Sequence, residues 1–126
     1  MSEPAIGTGP GRALVAVYGV FALAAGARAG VQIATRFGEA PLAYALSAFA
    51  AAVYVVLTVA LARGSRGLAL LACGIELAGV LVVGTLSVID PEAFPRATVW
   101  SGYGSGYLFI PLVLPVLGLY WLLRRR

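Results

Sequence analysis

The sequence predicts an all-α protein, an antiparallel four-helix transmembrane bundle with its N and C termini in the cytoplasm. Three observations carry this reading. Hydrophobic residues make up 61% of the 126, and 16 Gly bring the apolar-plus-Gly share to about three quarters, against roughly 45–50% in soluble domains. Charged residues are only 11%. The apolar residues collect in four stretches, and the Arg residues gather on one side of them. A soluble domain this small cannot hide so much apolar surface, and a disordered chain would not carry it. The length fits one domain, residues 1–126.

Taken in order, residues 1–11 are polar and rich in Gly and Pro, and read as a short mobile tail. The spans follow at about 13–35, 41–62, 67–89 and 107–123, the last being the shortest. At 1.5 Å per residue each approaches the ~30 Å hydrocarbon core. Backbone groups in lipid must be satisfied within the segment, so these are helices. Pro41 suits the first turn of the second helix, and Glu39 lies near that helix's positive end. Arg63-Gly64-Ser65-Arg66-Gly67 forms a hairpin, and Asp90-Pro91 ends the third helix. The extracytoplasmic loop 90–106 carries Phe94, Trp100 and Tyr103 as expected interfacial anchors. Pro111 and Pro115 predict a kink in the fourth helix, with Tyr120 and Trp121 anchoring its cytoplasmic end.

All nine basic residues are Arg, and the net charge is +4. Arg12, Arg63, Arg66, Arg124, Arg125 and Arg126 lie on one side of the spans, with Arg36 and Arg96 on the other. Such a bias places the first side in the cytoplasm and argues against a dual-topology transporter. The basic balance is therefore a topology signal and not a nucleic-acid footprint. Arg12, the apolar run 13–27 and Ala25-Gly26-Ala27 also have the form of a signal peptide with its cleavage site. The apolar pattern continues through Ala29-Gly30-Val31 and Ile33-Ala34 to spanning length, which favours a retained span.

The informative residues are the polar ones within the spans. Glu76 lies ~14 Å into the third helix and Arg28 ~22 Å into the first, counted from the cytoplasmic side, a difference that two long side chains largely bridge. A lone charge at mid-helix costs about 2.5–3.5 kcal/mol on insertion scales, so each is the natural partner of the other. Three readings stay open. One is a buried pair, or a hydrogen-bonded protonated Glu76, that sets helix register. Another is a proton- or cation-responsive carboxylate in a polar cavity. The third is an Arg28 that snorkels to lipid headgroups.

Arg28, Gln32 and Arg36 form a stripe at i, i+4, i+8. Tyr44, Ser47, Ala51, Tyr54 and Thr58 make the inward seam of the second helix, and Cys73, Glu76, Gly79, Val83 and Ser87 that of the third. The candidate intramembrane polar site is thus Arg28, Gln32, Tyr44 and Glu76, with a cavity opening outward near Gln32 and Tyr44. Ala22, Gly26, Gly30 and Ala34 form a small-residue ridge, a weak signal for close helix approach.

No catalytic, cofactor or metal site is expected. The chain has no His and one Cys, so Cys73 has no base to activate it. Gly102-Tyr103-Gly104-Ser105-Gly106 lacks the Lys and the strand–helix setting of a phosphate loop.

The runs Ala27-Arg28-Ala29-Gly30-Val31-Gln32-Ile33-Ala34-Thr35-Arg36-Phe37 and Glu39-Ala40-Pro41-Leu42-Ala43-Tyr44 carry a resemblance, as do Glu76-Leu77-Ala78-Gly79-Val80-Leu81 and Asp90-Pro91-Glu92-Ala93-Phe94-Pro95. Across nearly its whole length the chain resembles an uncharacterised family of small four-span integral membrane proteins of high-G+C bacteria. It is similar to DoxX-like proteins in architecture only. The resemblance implies the fold and brings no activity. The chain does not look like the small multidrug transporters, whose essential Glu lies in the first span, nor like the small fluoride channels.

The expectation is therefore a non-enzymatic multi-pass protein of the bacterial inner membrane, an accessory or scaffold component. Its partners would be the lipid bilayer and either a second copy or a larger membrane protein, with no nucleic acid and no cofactor. The alternative is a small transporter or channel with a polar site around Glu76 and Arg28.

Overall fold

A computed structural model describes residues 9–94 and 96–124. These residues are helical or irregular, with no strand among them. Helix α1 is Gly9–Arg36, α2 is Pro41–Ala62, α3 is Arg66–Ile89 and α4 is Ile110–Arg124. Three 3-10 segments complete the chain, at Phe37–Glu39, Pro91–Ala93 and Ser101–Tyr107. Helices α1, α2 and α3 are each long and apolar enough to cross a membrane. A fourth crossing results if Ser101–Tyr107 and α4 count as one bent span.

Each helix has local causes. Pro41 is the first residue of α2, where its missing N–H costs no hydrogen bond. The Arg63–Ser65 turn closes through Ser65 N donating to Ala60 O at 2.8 Å, with Gly64 taking φ of 72°, a left-handed conformation that suits glycine. The inward face of α1 is Leu14, Tyr18, Ala25 and Ala29, spaced by about one or two turns. On α2 it includes Tyr44, Ser47, Ala51, Tyr54, Leu57 and Leu61, and on α3 Ala69, Cys73, Glu76, Val80 and Val83. The stripes read from the sequence for α2 and α3 therefore do face the interior, with Thr58, Gly79 and Ser87 at their half-buried edges. Their outward faces stay apolar: Leu23 is 78% exposed and Leu71 62%.

The structure departs from expectation in three places. Helix α1 starts at Gly9, so residues 9–11 of the expected tail are helical, while 1–8 lie outside the described residues. The helix also runs without a break through Ala25-Gly26-Ala27.

The expected interfacial anchors Trp100 and Tyr103 pack on α3 instead, Trp100 buried and Tyr103 half-buried. Trp100 is 1% exposed and donates from Nε1 to Tyr54 Oη at 2.9 Å. Its ring lies against Gly79, where a Cβ would approach to 2.4 Å. Tyr103 is seated in the same way against Gly84 and shares a 2.8 Å hydrogen bond with Thr85. Two glycines on α3 thus open room for two aromatic rings, and the segment Ser101–Tyr107 packs on α3 much as α2 and α4 do.

The third departure is the bend in the last span. It falls before α4, a 99° turn between Ser101–Tyr107 and Ile110–Arg124, and not at the prolines. Leu108 and Phe109 make this turn with φ of 60° each, costly for residues with a Cβ. Pro111 sits in the first turn of α4, where it disrupts nothing, and Pro115 lies inside the helix. The far end of α4 is tied to the start of α3 by Arg66 Nε donating to Leu122 O at 3.0 Å.

Candidate functional site

The two intramembrane charges have different partners. Glu76 is completely buried, and its Oε1 accepts from the Tyr18 hydroxyl at 2.8 Å. Its Oε2 is buried with no hydrogen-bond partner. Tyr18, Cys73 and Gly118 close the space around it: a Cβ on Gly118 would lie 3.0 Å from Cys73 Sγ and 3.8 Å from Tyr18 Oη. A buried carboxylate with one donor for two oxygens is an expensive group, and it stands here inside a sealed contact.

Arg28 is exposed, and its Nη1 donates to the Tyr107 hydroxyl at 2.9 Å. The guanidinium also stands 6.0 Å from the centre of that ring. The expected pairing of Arg28 with Glu76 does not form. Tyr18 reaches Glu76 from α1, and Arg28 lies ten residues further along that helix, roughly 15 Å away and turned about 80° around the axis. Between the two charges lies an aromatic cluster. Phe21 stands 5.7 Å from both Tyr54 and Tyr107, and Tyr54 stands 6.1 Å from Tyr18.

The four residues of the predicted site divide accordingly. Arg28 and Gln32 share one depression with Ser47 and Tyr107 in its wall, and a groove of about 480 Å³ with Arg36. Glu76 belongs to the closed Tyr18 contact. Tyr44 is 1% exposed and packs with Ala40 and Ala43 against Phe94, lining neither that depression nor the groove.

Sequence reasoning passed over Tyr18 and Tyr107. Tyr18 carried a signal, being the single hydrogen-bonding side chain between Arg12 and Arg28. Tyr107 carried none, because its approach to Arg28 depends on the bend at Leu108 and Phe109.

Several long apolar helices, a carboxylate sealed among them and an open cationic groove at one end are compatible with a multi-pass membrane protein. Beyond that class the chain stands apart: it matches no protein-family model, no curated protein and no solved structure.

Proposed function

We propose that this chain is a non-enzymatic, multi-pass integral membrane protein of the bacterial inner membrane, acting as an accessory or scaffold component. Its helices alternate in direction as an antiparallel bundle, with both termini and the Arg63–Ser65 turn in the cytoplasm. The Arg distribution supports that orientation. The contact of Arg66 with Leu122 supports the juxtaposition of the turn with the end of α4. Its place among small four-span proteins of high-G+C bacteria rests on the sequence resemblance alone.

The observation that carries the scaffold reading is the state of Glu76. A transport carboxylate must meet water or its cargo during the cycle, whereas Glu76 is 0% exposed and held by Tyr18. A sealed hydrogen-bonded acid fixes the register of α1 against α3, a structural task. The exposed apolar faces of α1, α2 and α3 are then available to lipid, to a second copy or to a larger membrane partner.

Reconstitution into proteoliposomes tests this. Under imposed proton and sodium gradients, the expected flux equals that of empty vesicles and is the same for Glu76→Gln. Protein-dependent flux that Glu76→Gln abolishes would establish the transporter or channel alternative.

A further inference from the structure

Arg28 poses an electrostatic problem that the described residues do not solve. Five acids are available in all. Of the four among the described residues, Glu76 is sealed against Tyr18, and Glu39 pairs with Arg96 at 3.3 Å. Asp90 and Glu92 form no ion pair with Arg28. The fifth, Glu3, lies outside the described residues. Among the described residues the guanidinium therefore meets a neutral phenol and no acid, while lying about 12 Å short of the end of a helix built to cross a membrane. A charge at that depth needs a counter-charge or a route to the headgroups.

The surface around Arg28 is shaped to receive one. On one side runs the groove of about 480 Å³, walled by Ala27 and Val31 and carrying Gln32 and Arg36. On the other lies a cleft of about 390 Å³ that Arg28 shares with Ser105 and Tyr107, and with Val88 and Phe94 as its apolar wall. Arg28 and Arg36 are two turns apart, with Gln32 between them on the same face. An arginine has five N–H donors, and Tyr107 occupies one of the five on Arg28. The rest form a planar fork that matches phosphate oxygens in pairs. The apolar walls, with Val31 and Val88 each 62% exposed, are what a neighbouring acyl chain would cover.

We propose that this groove binds the phosphate headgroup of an anionic lipid, in the leaflet at the Arg36 end of α1. The guanidinium of Arg28 takes the phosphate oxygens, Gln32 adds an amide donor, and Arg36 supplies the second cation nearer the surface. Lipid phosphate is the anion that a phospholipid bilayer presents at its interface, toward which a long Arg side chain snorkels, and the Tyr107 hydroxyl holds the fork in place before the lipid arrives. The inference rests on the chain being membrane-embedded. Were that reading wrong, the protein would be soluble without detergent, a different result from any below.

The test uses the full chain, delipidated in a neutral detergent and examined by native mass spectrometry and thermal unfolding. The probes are phosphatidylglycerol, phosphatidylcholine and inorganic phosphate. Phosphatidylglycerol is expected to remain bound and to raise the unfolding midpoint, and phosphatidylcholine to do neither. Arg28→Gln should weaken retention at least tenfold, with Arg28→Lys intermediate because it keeps the charge without the fork. Arg36→Gln and Gln32→Leu, which each leave the Arg28 fork in place, should weaken it less, and they carry the test if Arg28→Gln does not fold. Equal retention by the parent and every one of these variants overturns the site. Stabilisation by inorganic phosphate without lipid retention overturns the lipid assignment in favour of a soluble anion.

Discussion

At the scale of single residues, the decisive contact is one hydroxyl. Among the described residues, Tyr18 donates the only hydrogen bond that the Glu76 carboxyl group accepts, inside a fully buried pocket. Removing a donor from a buried acceptor exposes the whole desolvation penalty, about 1–3 kcal/mol, because no water replaces it. Tyr18→Phe is therefore expected to lower stability in detergent by that amount. In a double-mutant cycle with Glu76→Gln the losses should be non-additive by about 1 kcal/mol. The same cycle between Arg28→Gln and Glu76→Gln should add to within about 0.5 kcal/mol, since the two side chains share no partner. Thermal unfolding of the single and double mutants in one detergent measures both, and coupling between Arg28 and Glu76 would contradict the geometry. Both charges were legible in the sequence as residues out of place in apolar helices. Their partners were not, because each partner is a tyrosine whose orientation is set by packing.

At the scale of elements, α3 packs against α2, α4 and the segment Ser101–Tyr107, and its glycines decide how that segment sits. Gly79 and Gly84 leave room for the rings of Trp100 and Tyr103, whereas a Cβ on Gly74 would meet nothing within 4 Å. Gly79→Ala should force Trp100 off its seat and strain its hydrogen bond to Tyr54, at a cost of about 1–3 kcal/mol. Gly74→Ala, one turn and a little earlier on the same helix, should be neutral or stabilising by up to about 1 kcal/mol, because it only removes backbone freedom. Unfolding midpoints that fall equally for both would mean that the glycines matter through helix propensity and not through the aromatic seats. The extents of α2 and α3 followed from apolar length and from Pro41 and the glycine turn. The inward course of residues 98–107 did not, because aromatic residues in a loop beside the membrane fit a surface anchor equally well. Only the two gaps on α3 distinguish the alternatives.

At the scale of the whole molecule, the arrangement separates a closed core from an open rim. Aromatic packing among Phe21, Tyr54 and Tyr107 stands between Glu76 and Arg28, so one polar site expected from the sequence becomes two unlike places. The orientation in the membrane has its own test. Ser65 and Ser105 are both exposed, at opposite ends of the bundle, and Cys73 is buried. In a Cys73→Ala background, Ser105→Cys is expected to react with a membrane-impermeant maleimide added to intact spheroplasts. Ser65→Cys should react only after lysis. The reverse pattern would invert the bundle and with it the leaflet that Arg28 addresses.

The sequence by itself determined that this is a chain of long apolar helices with two charges that insertion does not explain. Composition and span length suffice for that, since they depend on how many residues prefer to leave water and not on how they meet. The tertiary structure decided which side chain answers each charge. It sealed Glu76 against Tyr18, turned Trp100 inward and left Arg28 open beside Tyr107. The physical reason is that helix periodicity assigns a residue to a face, while depth, neighbouring glycines and the bend at Leu108 and Phe109 assign it a partner. Those three depend on contacts between segments far apart in the chain.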